Sequence, residues 1–304
     1  MCIRDRDNKG VDANLEYQTR IGNKVGLRLF GNLTYSKNKI VFRDEPAMQY
    51  AYQKSEGTRY GEFYGYIAEG YFQSEEEIKK SPRQMRELAP GDIKYKDLND
   101  DGVIDANDQC YLGKSWFPSW SYGMGFNINY HNFDLALFFQ GVSDVSIMAN
   151  GGSIDTGNGD WGASGVGIVP FTGMGLNPSN VITKALDRWT ADNPRADAWY
   201  PRMTANATTN DNNYVNSTHW LKDGSYLRLK QASLGYTLEN KKLMDKGIEY
   251  LYFYLSGQNL LTFSKFKLWD PELGSNGAKY PLSRMVTLGM RVSLSLIHIS
   301  EPTR

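Results

Sequence analysis

The chain has 304 residues and a formal net charge of zero, with 34 Lys and Arg against 34 Asp and Glu. A basic excess is the usual mark of an electrostatic nucleic-acid binder, so no nucleic-acid partner is expected. No run approaches the roughly 18 apolar residues of a membrane helix, which excludes a helical membrane protein but leaves a β-barrel open. Aromatics at 13% and 30 glycines favour strands and turns. Two cysteines (Cys2 and Cys110) and three histidines supply neither a disulfide framework nor a zinc spacing.

Residues 1–7 (Met1-Cys2-Ile3-Arg4-Asp5-Arg6 at the start) and 296–304 (Leu296 to Arg304) match no pattern beside them. Both read as non-native tails, which leaves 8–295 as the body of the fold. Val11 to Ile21 alternates and stops at the Gly22-Asn23 turn signal. From Val25 to Lys37, Leu27, Leu29, Leu33 and Tyr35 share one face, opposite Arg28, Asn32, Thr34 and Ser36; period two over this length is a strand. A long connection follows at 38–119. Within it, Ser74-Glu75-Glu76-Glu77 starts a short solvated helix with acidic N-terminal residues.

The same connection carries the one motif with its own chemistry. Asp97 to Asp108 matches a calcium-loop template. Oxygen donors stand at Asp97, Asn99, Asp101, Asp105 and Asp108, Gly102 takes the sharp turn, and Val103 offers its carbonyl. Calcium takes six to eight oxygens, and alternate spacing lets one tight loop wrap them round an ion. Asp108 stands where a longer Glu closes the strongest such loops, and Ile93-Lys94-Tyr95 before the loop is extended rather than helical. The expectation is a structural calcium ion rather than a helix–loop–helix sensor.

Ser121 to Tyr130 is the third strand, and the tight His131-Asn132 turn leads into the fourth, Phe133 to Gly141. There Leu135, Leu137 and Phe139 oppose Asp134, Ala136, Phe138 and Gln140. A second long connection spans 142–222. Its stretch 151–175 is rich in glycine around Asp155, Asp160 and Trp161, the composition of a surface loop that meets a ligand or partner. Trp116, Trp120, Trp161, Trp189, Trp199 and Trp220 lie in or beside the long connections, more suited to packing loops together than to stacking on sugars. Tyr226 to Tyr236, with Arg228 and Lys230, is the fifth strand, Glu249 to Phe263 the sixth and Met285 to Leu294 the seventh.

Short turns at one end and long connections at the other, with strands apolar on one face and polar on the other, predict an outer-membrane β-barrel. Tyrosines near strand ends suit an aromatic girdle. The alternative is a secreted, calcium-stabilised, carbohydrate-binding β-sandwich, which needs two facing sheets. Seven strands are odd and below the minimum of about eight for a bacterial barrel, so further strands are expected before residue 11. No nucleophile–base pair and no acid/base pair of carboxylates is spaced for catalysis, so no enzyme activity is expected.

Several stretches occur together in a telling order. They are Phe63-Tyr64-Gly65-Tyr66 with Gly70-Tyr71-Phe72, then Pro90-Gly91-Asp92 through Asp97, then Phe133-Asp134-Leu135 with Phe139-Gln140-Gly141-Val142. Trp220 through Lys230, Ser256-Gly257-Gln258-Asn259-Leu260-Leu261-Thr262, Asp270-Pro271-Glu272 and Tyr280-Pro281-Leu282-Ser283-Arg284 follow. Over about residues 8–295 this combination resembles the C-terminal part of SusC/RagA-type TonB-linked outer-membrane transporters. The resemblance implies an all-β fold, a partial antiparallel transmembrane β-barrel holding the last strands of a barrel of about 22. It implies an N-terminal plug and a TonB-contacting segment, both missing from this sequence. It also implies a SusD-like surface lipoprotein as lid, import of oligosaccharides or peptides, and contact with outer-membrane lipid. The connections at 38–119 and 142–222 would then form the extracellular mouth.

Overall fold

A computed structural model describes residues 4–22, 24–150, 183–203, 212–277 and 280–295 of the chain. In chain order the strands are β1 (Arg4–Ile21), β2 (Val25–Arg43), β3 (Glu62–Gly65), β4 (Ala68–Tyr71), β5 (Ile93–Tyr95), β6 (Cys110–Ser115) and β7 (Trp120–Tyr130). They continue with β8 (Phe133–Ser143), β9 (Ser146–Met148), β10 (Leu221–Asp223), β11 (Tyr226–Leu238), β12 (Ile248–Ser264) and β13 (Met285–Leu294). A short helix α1 (Glu75–Lys80) is capped by Ser74, whose hydroxyl accepts the Glu77 amide at 3.2 Å. Among the described residues no helix is long and apolar enough to cross a membrane.

Seven of the strands make one antiparallel sheet in the order β1-β2-β7-β8-β11-β12-β13. These are the seven alternating segments of the sequence. At one end the turns are tight. Gly22 takes a φ of +60° between β1 and β2, and His131 a φ of +52° between β7 and β8. The Asn132 side-chain amide then donates to the Thr237 carbonyl at 2.7 Å, fastening that turn to β11. At the other end the connections are long, and they hold β3–β6, β9 and β10. β1 starts at Arg4, so residues 4–7, set apart above as part of a tail, continue the ladder with β2. The 296–304 tail lies outside the described residues.

The register explains the two faces. Directly paired residues in an antiparallel sheet point the same way, so each row across the strands belongs to one face. Leu27, Ile128, Leu135, Leu234, Leu255 and Leu288 form one row, and Leu29, Phe126, Leu137, Ala232, Gly257 and Val286 the next on that side. Between them, pointing the other way, run Gln18, Arg28, Asn127, Ala136, Ser233, Ser256 and Thr287. The apolar rows are exposed: Leu15 is 76% and Leu288 80% accessible. Leu135, Leu137 and Phe139 are half-buried beside their neighbours, and no second sheet among the described residues pairs a face with theirs. Two facing sheets are therefore absent among the described residues, and the β-sandwich alternative falls.

One irregularity keeps the faces consistent. In β11 Leu227 and Leu229 are odd-numbered while Leu234 and Tyr236 are even, yet all four pair with apolar-face residues of β8. The bulge at Lys230, between Leu229 and Gln231, inserts the extra residue that shifts the parity. Beside the tight turns, Tyr130, Phe133, Tyr236 and Phe253 form an aromatic row, with the Phe133 and Tyr236 rings 4.7 Å apart.

The buried core lies in the long connections rather than in the sheet. Phe63, Tyr66, Ile93, Tyr95, Tyr200 and Trp220 are its centre. Trp189 and Trp220 are buried in it and Trp199 packs against it, so these tryptophans join the loops to one another. Trp161 and the stretch 151–175 lie outside the described residues.

Candidate functional site

The polar face of the sheet and the loop body above its long-connection end together form the candidate site. Along the polar face, charges are matched across strands. Arg28 Nε lies 2.7 Å from Glu16 on β1, and the Tyr252 hydroxyl donates to Asp134 across Gly235 at 2.9 Å. Asn127, Ser233, Ser256 and Gln258 supply neutral hydrogen-bonding groups. Two aromatic rings also lie on this side: Phe30 and Phe138 stack at 6.0 Å. Gly125 lies between them in the sheet, and a Cβ there would meet the Phe30 ring and approach the Leu137 carbonyl oxygen to 2.8 Å.

At the upper edge of this face sits a charge clamp. Arg228 of β11 is 1% exposed, with Nη2 2.5 Å from Asp270 and Nη1 3.2 Å from Glu272. The Tyr226 hydroxyl donates to Glu272 at 2.7 Å, and Lys230 lies 3.9 Å from the same carboxylate. The clamp ties the β12–β13 connection to the wall. It also explains why the Tyr226–Lys230 and Asp270-Pro271-Glu272 stretches occur in one chain.

A second clamp joins the two longest connections. Asp92 is fully buried, and its carboxylate meets Arg202 Nε at 2.7 Å and Nη2 at 2.9 Å. It also accepts the Asn213 side-chain amide at 2.8 Å and the Ala89 amide at 2.9 Å. Asn213 and Asn212 serve as a substitute strand alongside β5. The Ile93 amide donates to Asn213 Oδ1 at 2.9 Å, and Asn212 Nδ2 donates to the Ile93 carbonyl at 3.0 Å. Gln84 completes the network by accepting the Tyr95 amide at 2.7 Å. Buried polar groups are tolerable only when paired in this way.

His219 sits at the junction of the loops. Its Nε2 lies 3.3 Å from the Tyr71 hydroxyl and 3.2 Å from the Trp199 carbonyl, and Lys222 Nζ donates to its carbonyl at 2.7 Å. Burial, with the nearby Lys222 charge second, holds the imidazole down at about 4, opposed by the Trp199 carbonyl. The ring is thus neutral at physiological pH.

The calcium-type loop is docked against this body. Tyr52 and Gln53 donate to the Asn107 carbonyl, at 2.8 and 3.3 Å, and the Ile104 side chain is buried. Asp97 accepts the Asp100 and Gly102 amides at 2.7 and 2.8 Å. Asp101 accepts the Val103 amide at 2.8 Å, and Asn99 Oδ1 accepts that of Asp101 at 3.2 Å. Asp105 accepts the Asn107 amide at 2.7 Å, while Asp108, fully buried, accepts those of Leu98 at 2.7 Å and Asp105 at 2.9 Å. The donors are the hard oxygens that calcium prefers and belong to one loop, but they turn onto the loop's own amides. Among the described residues no three carboxylate, histidine or cysteine side chains converge on a point.

A sheet of this kind, exposed and apolar on one side and polar on the other, has known relatives. No family model matches the chain. TonB-dependent receptor P3 of Formosa agariphila is 26% identical over 318 residues, covering 95% of this chain and 29% of that protein. TonB-dependent receptor P26 of the same organism is 30% identical over 240 residues, covering 74% of this chain and 22% of that protein. The chain is homologous to TonB-dependent receptors. It spans about 29% of the length of the P3 receptor. Among solved structures, the RagAB peptide transporter superposes with a TM-score of 0.66 at 19% identity, covering 95% of this chain and 29% of that one. The RagAB peptide importer in its open-open state superposes equally well, at 0.66 and 21% identity, covering 96% of this chain and 29% of that one. The chain therefore lies in the cell outer membrane as part of a barrel wall, with the Leu135–Leu288 face toward lipid and the Arg28–Ser256 face toward the barrel lumen. An open sheet edge is not tolerated in hydrocarbon, so β1 and β13 are edges that need strand partners beyond these seven.

Sequence reasoning missed both clamps. Pro90-Gly91-Asp92 and Asp270-Pro271-Glu272 stood out as resemblance, but neither carries a spacing that names its partner. The Asn212-Asn213 pair leaves no periodic signal at all.

Proposed function

We propose that these residues form the lumen wall and extracellular mouth of an importer that takes up oligosaccharides or peptides and works with a SusD-like lipoprotein. The observation that carries the reading is the single sheet with one lipid face and one polar face, whose long connections all gather at one end. The names of the RagAB neighbours, a peptide transporter and a peptide importer, support a polymer as cargo. TonB would act through parts of the receptor outside this chain, and no reaction is catalysed. The lid lipoprotein would seat on the loop body built around Trp220 and the Asp92 clamp. The test is uptake by cells of a fluorescent pentapeptide and a fluorescent maltopentaose through the full-length receptor. Accumulation of either that stops when the proton gradient is collapsed supports the reading; gradient-independent leakage or no uptake contradicts it.

We also propose that Asp97, Asn99, Asp101, Val103, Asp105 and Asp108 hold a structural calcium ion, with the carboxylates swung inward from their amide partners. Support comes from the donor chemistry and from the docking of the loop through Tyr52, Gln53 and Ile104. Terbium luminescence excited through Tyr52 and displaced by calcium, and lost in Asp97→Ala, is the expected result. No luminescence above that of Asp97→Ala rules the ion out.

A further inference from the structure

A cavity of about 470 Å³ sits where the wall meets the loop body, lined in part by Trp116, Phe117, Val142, Ile147, Tyr226 and Leu273. It lies on the lumen side. Val142 pairs with both Ser121 and Tyr226, and this row is one step above the Gln140–Arg228 row of the polar face. Phe117 extends the apolar lining outward by stacking on Tyr60 at 5.8 Å, and both rings are more than a third exposed. The cavity is therefore continuous with the surface that an imported molecule passes.

Apart from the Ser146 hydroxyl and the Trp116 indole, its polar side chains are already engaged. Glu272 serves Arg228, Lys230 and the Tyr226 hydroxyl. Ser275 Oγ accepts the Met148 amide at 3.0 Å, and Asn276 has a partner of its own. The Trp116 indole N–H is buried without a hydrogen-bond partner and is a single free donor, too few for the several hydroxyls of a sugar ring. A sugar ring needs free donors and acceptors for each hydroxyl it brings into a closed space, because an unpaired hydroxyl there is costly. An apolar side chain needs only matching volume and greasy walls.

We propose that this cavity holds an apolar side chain of an imported peptide, so that it selects peptides over glycans and peptides with large apolar residues over polar ones. The inference rests on the importer reading and names the cargo class of that same mouth.

Calorimetric titration of the purified full-length receptor with the pentapeptides GSFSG and GSSSG and with maltopentaose tests it. GSFSG is expected to bind at least about tenfold more tightly than GSSSG, the effect of burying one large apolar side chain. Val142→Trp fills the cavity from the wall and Leu273→Trp from the loop. Each should bring the two peptides to within about threefold of each other, a residual difference of about half a decade. Leu273→Trp keeps the test valid should the β8 variant fail to assemble. Equal binding of GSFSG and GSSSG to the unaltered receptor overturns the proposal. So does binding of maltopentaose that both filling variants abolish. Gradient-driven uptake of both peptides without preference would sink the cavity assignment alone, whereas a binding preference without uptake would sink the importer reading alone.

Discussion

Replacing Asp92 by Ala in the full-length receptor should loosen the loop body without unfolding the barrel wall. Asp92 is fully buried, and its carboxylate pairs with the Arg202 guanidinium and accepts from its Nη2, from the Asn213 side chain and from the Ala89 amide. Removing one member of a buried ion pair costs roughly 3–5 kcal/mol, because the other charge is left without compensation. The Arg202 side chain is 22% exposed and can turn partly to water, so the lower figure applies, about 3 kcal/mol. The assay is amide hydrogen exchange at Ile93 and Tyr95, whose N–H groups donate to Asn213 and Gln84. A loss of about 3 kcal/mol accelerates their exchange by about two orders of magnitude, provided they open with the loop body. Amides in β8 and β11 should be unchanged. The double variant Asp92→Leu with Arg202→Leu should exchange more slowly than Asp92→Ala, since no charge is stranded. Exchange at Ile93 and Tyr95 within about threefold of the unaltered protein, well under 1 kcal/mol, would refute the clamp.

Acid should weaken the same loop body. The His219 pKa is depressed to about 4 from an ordinary 6.5, so the unfolded state binds the extra proton first. The contribution of His219 is fully present above about pH 6.5 and is lost as pH falls toward 4, roughly 3 kcal/mol in all. The loop's opening equilibrium, taken from exchange rates divided by the intrinsic rate at each pH, should therefore rise from pH 7 to pH 4 in the unaltered receptor, and His219→Gln should flatten that rise. Gly125→Val should lower the yield of assembled barrel, because its side chain would displace Phe30 from its stack on Phe138, at about 1–3 kcal/mol. Resistance of the folded band to heating in detergent gels reads this directly, and an unshifted band would contradict the close packing of the lumen wall.

The wall was legible in the sequence because its physics is local. Every second residue of 133–141 meets lipid or water, and that alternation survives in the letters. The Lys230 bulge is the exception: it shifts the parity of β11, and a strict period of two would have turned Leu234 and Tyr236 toward the lumen. Phe138 also broke the pattern, as a large aromatic on the polar side, and its partner Phe30 became visible only across Gly125. The loop body was far less legible. β3–β6, β9 and β10 are three to six residues long and pair across distant parts of the chain, so no period can reveal them. The carboxylates of 97–108 showed their spacing but not their direction, since whether an Asp faces an ion or an amide depends on what the loop docks against.

One side of the sheet is bathed in lipid and the other in water. Single nitroxide labels at 134, 135, 136, 137 and 140, in a full-length receptor freed of other cysteines and reconstituted in bilayers, test it most directly. Oxygen-accessible labels are expected at Leu135 and Leu137 and nickel-chelate-accessible labels at Asp134, Ala136 and Gln140. Labels that reach neither reagent at Leu135 and Leu137, or that show no alternation along β8, would contradict it.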